Sequence, residues 1–109
     1  VFSTDNGGPA SGFNLNAASN WPLRGIKNTL WEGGVRGAAL LWSPLIKAKQ
    51  RVAFQKMHVT DWLPTLYSAA GGDLNRIEGI DGYDLWDALS TNGESPRNEI
   101  LHNIDEDFG

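Results

Sequence analysis

Val35-Arg36-Gly37-Ala38-Ala39-Leu40-Leu41-Trp42, closed by Ser43-Pro44, is nearly continuously apolar. A short run of this kind, broken mainly by Arg36 and Gly37, predicts a strand buried on both faces, as in a largely parallel sheet. Downstream, Val59, Trp62, Leu63, Leu66, Tyr67 and Ala70 recur at helical spacing over residues 59–70, with Thr60 or Asp61 as N-cap and Gly71-Gly72 as the stop. Pro64 then falls in the first turn, where its missing amide hydrogen costs little. Trp62 and Leu66 are expected to pack against the sheet, each contributing roughly 1.5–3 kcal/mol by burial. Working outward, residues 84–89 predict a second short helix after the Asp81-Gly82 turn, and residues 99–104 a further strand. Residues 1–4 read as the end of a strand, stopped by the dense turn signal Asp5-Asn6-Gly7-Gly8-Pro9. Strands alternating with helices predict an α/β layered fold.

Val1-Phe2 opens directly in an apolar, β-favouring run, which suggests a strand that starts within a larger domain. The rest of the composition is that of a folded globular chain: 40% of the 109 residues are hydrophobic, 20% are charged, and five are Trp. A formal net charge of -4 with scattered basic residues argues against nucleic acid as a partner. The apolar run at residues 38–42 is far short of the ~20 residues that cross a bilayer, so no transmembrane segment is expected. With no cysteine, the chain itself can supply neither a disulfide nor a thiolate ligand or nucleophile.

Asp5-Asn6 pairs an ionised carboxylate with an amide carbonyl, both hard oxygen donors suited to calcium or magnesium. Gly7-Gly8 permits the sharp turn that would let adjacent donors converge. Asp-Asn-Gly is also an ordinary turn sequence. Calcium takes 6–8 oxygens, so a metal reading needs further ligands from elsewhere. The following stretch, Leu23-Arg24-Gly25-Ile26-Lys27 and Thr29-Leu30-Trp31-Glu32-Gly33-Gly34-Val35-Arg36-Gly37, sets glycines among two arginines, a lysine and a glutamate. Close backbone approach and a rigidly held cation are plausible there. Lys27 could aim its charge at an anionic substrate or simply be solvated. Glu32 and Arg36 read as a structural ion pair.

Taken together these motifs resemble the sulfatase family of the alkaline phosphatase superfamily, in particular its arylsulfatase B branch. The resemblance runs through Phe2-Ser3-Thr4-Asp5-Asn6-Gly7-Gly8, Asn20-Trp21-Pro22-Leu23-Arg24-Gly25, Lys27 and Leu30-Trp31-Glu32-Gly33-Gly34-Val35-Arg36-Gly37. It continues in order through His58, Thr60-Asp61-Trp62-Leu63-Pro64-Thr65-Leu66, Asp81-Gly82-Tyr83-Asp84-Leu85-Trp86 and Leu101-His102-Asn103-Ile104-Asp105. Nearly the whole chain is covered.

The resemblance implies an alkaline-phosphatase-like sandwich with a mostly parallel, mixed central sheet flanked by helices. Residues 1–109 would be the C-terminal portion of that catalytic domain, truncated at both ends and partnered by its missing parts. It further implies hydrolysis of sulfate esters by a hydrated formylglycine made from an upstream cysteine that lies outside this chain. By the same resemblance Asp5 and Asn6 are calcium ligands, and Lys27 contacts the sulfate and stabilises the leaving oxygen. His102 would sit near the pocket mouth, where a protonated imidazole could attract a sulfated sugar, and Trp21 would line the pocket. Structural roles for His102 and Trp21 stay open. The implied substrate is a sulfated carbohydrate or aryl sulfate, with N-acetylgalactosamine 4-sulfate in a glycosaminoglycan as the expected natural form, and the implied compartment is lysosomal or secreted. A phosphodiesterase or phosphatase of the same superfamily, or a non-catalytic calcium-dependent sulfoglycan-binding protein, are the alternatives. Lacking the rest of the site, the chain alone is not expected to turn over substrate.

Overall fold

The computed structural model describes residues 1–10, 12 and 15–102. They divide into two compact units, one holding Val1–Trp42 with His102 and the other Ser43–Leu101.

In the first unit, β1 (Phe2–Ser3) pairs antiparallel with β2 (Ala39–Leu40), Phe2 opposite Leu40 and Ser3 opposite Ala39. Thr4 prolongs the ladder: its N–H donates to the Ala38 carbonyl at 2.9 Å, and its hydroxyl accepts from the Ala38 N–H at 2.8 Å. A strand therefore forms where residues 35–42 are apolar, but it is shorter than the run and its pairing is antiparallel. It is also exposed, with Leu40 at 62% and Trp42 at 77%. Burial on both faces needs covering layers on each side, and the described residues of this unit form a single pair of strands.

Between the strands lies α1 (Glu32–Val35), a single turn whose residues Gly33 and Gly34 are buried. The chain doubles back onto these glycines: Gly33 N–H donates to the Arg24 carbonyl at 2.7 Å, and Gly7 N–H donates to the Gly34 carbonyl at 2.9 Å. A methyl group on Gly34 would collide with the Thr29 carbonyl and sit 2.6 Å from the Ile26 carbonyl, so backbone would have to move. Gly34→Ala is accordingly expected to cost about 1–3 kcal/mol, as overpacking does in rigid interiors, measured by denaturant unfolding of the complete protein. The exposed Arg36 and Glu32 form the anticipated i,i+4 pair at 3.1 Å.

In the second unit, α2 (Trp62–Ala69) is the expected helix, preceded by a 3-10 turn over Val59–Asp61. Gly71, at φ +82, ends it, with its N–H on the Ser68 carbonyl and that of Gly72 on the Tyr67 carbonyl. Asp61 stands at the N-cap of α2, one of the two positions expected, but its side chain makes no cap bond to α2. The capping box belongs to the 3-10 turn, where the His58 backbone N–H donates to Asp61 Oδ2 at 2.7 Å and the His58 ring nitrogen accepts from the Thr60 N–H. Helical burial also differs, because α2 buries Pro64 and Thr65 and leaves Leu66 at 42% exposure, with Trp62 half-buried. The side facing α3 (Trp86–Thr91) is the one that is covered. There Leu85 and Ala88 form the apolar centre, and the Thr65 hydroxyl accepts the Leu85 N–H at 2.9 Å.

The sequence placed the second helix over residues 84–89, two positions early. Asp84 stands in a turn before the N-cap Leu85, its Oδ1 accepting the Trp86 N–H at 2.8 Å, so the helix starts after it. Asn92, in the left-handed region at φ +66, closes the far end. Residues 47–56 are strung along this end: Lys47 and Ala48 donate to the Ser90 carbonyl and Arg51 to that of Leu89. The expected strand over residues 99–104 does not form in residues 99–102, and its last two positions lie outside the described residues.

Arg97 ties the second unit together. Its guanidinium makes two parallel hydrogen bonds to the fully buried Asp61, Nε to Oδ2 at 2.8 Å and Nη2 to Oδ1 at 2.6 Å. It also lies 4.6 Å from the centroid of Tyr83, whose N–H donates to Asp61 Oδ1.

Candidate functional site

The glycine turn after β1 carries the first two candidate residues. Asp5 is exposed and Asn6 half-buried. Asn6 anchors itself by donating from Nδ2 to the Gly7 carbonyl at 2.7 Å, which commits its amide nitrogen and leaves Oδ1 as the free donor atom of that side chain among the described residues. Asp5 accepts no hydrogen bond from the described residues. One carboxylate and one amide oxygen on neighbouring residues fit the hard donor set of calcium. They are two of the several ligands it needs, and no cluster of three acidic, histidine or cysteine side chains occurs among the described residues.

Asn20 holds this turn against the next. Its Oδ1 accepts the Gly8 N–H at 2.8 Å, while Nδ2 donates to the Gly8 carbonyl at 2.8 Å and to the Gly25 carbonyl at 3.3 Å. One side chain therefore spans both loops. The Gly8 carbonyl also accepts the Lys27 N–H at 3.2 Å. Lys27 is thus tied by its backbone to a residue two places beyond Asn6, and its own side chain is exposed. Thr29 closes the turn around it, with its hydroxyl donating to the Ile26 carbonyl at 2.7 Å and its N–H to the same oxygen at 3.1 Å.

The structure therefore gathers Asp5, Asn6 and Lys27 on two hydrogen-bonded loops of one unit. Trp21 lies on the second loop and is 86% exposed, which removes a core-packing role within this unit. His102 is exposed, and no hydrogen bond among the described residues links it to these loops. A groove of about 540 Å³ in the second unit, lined by Tyr83, Arg97 and residues 98–101, contains none of the candidates. Sequence reasoning passed over Asn20 and the Arg24–Trp31 pair, whose guanidinium stands 3.6 Å from the ring centroid. Their only signal was position within the motif.

The chain matches no family model. It is 49% identical over 106 residues to arylsulfatase J of Mus musculus, an alignment covering 96% of this chain and 17% of the relative. The chain belongs to the sulfatase family. This sulfatase chain is also 36% identical to arylsulfatase A of Homo sapiens over 93% of its length, and 34% identical to N-acetylgalactosamine-6-sulfatase of Sus scrofa over 81%. It spans less than a fifth of these relatives' lengths, 17%, 19% and 17% respectively. None of the helices described in it is long and apolar enough to cross a membrane.

Proposed function

We propose that this chain is the C-terminal part of a sulfatase catalytic domain whose complete protein hydrolyses sulfate esters with calcium as cofactor. The reading is carried by the joining of the Asp5-Asn6 turn to the Lys27 loop through Gly8 and Asn20, in a chain 49% identical to an arylsulfatase. Asp5 and Asn6 would hold calcium through Oδ atoms, with the other ligands supplied from outside the chain. Bound there, a divalent cation would neutralise charge developing on the sulfuryl oxygens. Lys27 would bind the sulfate group through its ammonium and offset charge on the departing ester oxygen. The nucleophile, a hydrated formylglycine, would come from the remainder of the domain. N-acetylgalactosamine 4-sulfate units of a glycosaminoglycan are the proposed natural substrate, met in a lysosomal or secreted setting. Trp21, exposed on the Lys27 loop, and His102 would touch the sugar.

Steady-state assays of the complete protein on an aryl sulfate and the matching aryl phosphate test the reaction class. The expected result is a kcat/KM for the sulfate ester at least about tenfold above that for the phosphate ester, a difference of ~1.4 kcal/mol in transition-state binding. Preference for the phosphate would make the protein a phosphatase of similar fold.

A further inference from the structure

Lys27 stands on a loop whose backbone is held by the Gly8 carbonyl, Asn20 and Thr29. No side chain among the described residues bonds its ammonium, and it lies outside regular secondary structure. Its place is set by the loop's closure. Besides the Thr29 and Asn20 hydrogen bonds, one side-chain contact joins the two ends of the loop: Arg24 reaches across to Trp31, with its guanidinium carbon 3.6 Å from the ring centroid. Between them lies Gly25, at φ +91, so near Trp31 that an added Cβ would come within 2.6 Å of the Trp31 Cβ. Beneath the stack the Gly33 N–H donates to the Arg24 carbonyl at 2.7 Å. Trp31 occupies the N-cap position of α1 without making a side-chain cap. Its ring is given to Arg24 instead. Neither of the ion pairs formed by the described residues involves Arg24.

We infer that the Arg24–Trp31 stack is a clamp that fixes the Lys27 loop, making Arg24 and Trp31 positioning residues for sulfate ester hydrolysis. The inference rests on the catalytic reading of Lys27 proposed above. A guanidinium over an indole face is attracted by the ring's negative quadrupole, and the planar fork matches the ring where an ammonium would not. Closing residues 24 and 31 leaves the intervening loop few ways to run. Small misplacement of a group that must meet a transition state is costly, roughly 10²-fold for about 1 Å.

The test is steady-state kinetics of the complete protein on an aryl sulfate, in wild type and in a Lys27→Ala background, with a thermal melt of each variant. Arg24→Gln is expected to lower kcat by about 10- to 100-fold with KM changed by less than about threefold. In the Lys27→Ala background the same substitution is expected to change kcat by less than about twofold, because the group it positions is gone. Trp31→Phe, which keeps an aromatic face, should hold most of the wild-type rate, and Trp31→Leu should lose it. If the Arg24→Gln loss recurs undiminished in the Lys27→Ala protein, the clamp is refuted while the sulfatase reading stands. Should Arg24→Gln fail to fold, the Trp31 pair decides, and equal rates for Phe and Leu refute the clamp. A Lys27→Ala protein that turns over like wild type overturns the catalytic reading and the clamp with it.

Discussion

Lys27→Ala in the complete protein is expected to lower kcat toward an aryl sulfate by roughly 10²–10³, the loss typical of removing one donor aimed at developing negative charge. Lys27 is tied by its N–H to the Gly8 carbonyl, so its backbone is placed beside the Asp5-Asn6 turn whatever its side chain does. Removing the ammonium should therefore leave the fold intact and act on rate. Lys27→Arg is expected to recover only part of the loss, because a planar fork cannot put its charge where a compact ammonium sat. A merely solvated lysine would behave otherwise, changing stability by no more than about ±0.5 kcal/mol and rate very little. A well-folded Ala variant with kcat within about threefold of wild type, worth only ~0.6 kcal/mol, would remove Lys27 from the reaction.

Asp61→Ala is expected to destabilise the protein by about 3–5 kcal/mol in denaturant unfolding, because it strands a partner of a buried ion pair. Asp61 is fully buried and accepts four hydrogen bonds, two from Arg97 and one each from the His58 and Tyr83 amides. Burial by itself raises its pKa, but the Arg97 hydrogen bonds, the two amides and the Arg97 charge outweigh this and hold the carboxyl below the usual carboxylate range. The sign follows: the folded protein binds the proton more weakly than the unfolded chain. The stabilisation is then fully present above the unfolded value of about 3.9 and is lost as pH falls through the lower folded value. Asp61→Asn removes this dependence. The gap in stability between wild type and the Asn variant should shrink steadily as pH is lowered below about 4. A gap that is constant with pH would mean the carboxylate charge contributes nothing.

How legible this was in the sequence varies with what fixes each element. α2 was readable because its start, its Pro64 and its Gly71 stop are all local signals. Its buried face was not, since Thr65 and Pro64 are covered by α3 and the Tyr83 segment, contacts between distant residues that periodicity cannot see. The run at residues 35–42 announced a strand but not its partner. Pairing with β1 depends on the Thr4 and Gly37 approach, where a Cβ on Gly37 would lie 2.7 Å from the Thr4 carbonyl. For the candidate site, Asp5, Asn6 and Lys27 were named from motif order, and the fold adds what joins their loops: Gly8 and Asn20. Arg97 went unnoticed. A lone arginine after Ser95-Pro96 gives no sign of a partner 36 residues away.

Calcium calorimetry on the complete protein decides whether this chain supplies part of a calcium-dependent sulfate ester site. Asp5→Ala removes the one carboxylate of the turn while the Asn6, Gly7 and Gly8 hydrogen bonds that shape it remain. Its calcium affinity is expected to be at least about tenfold weaker than wild type, ~1.4 kcal/mol or more, with an unchanged melt in excess calcium. Equal calcium affinity in wild type and Asp5→Ala would contradict it.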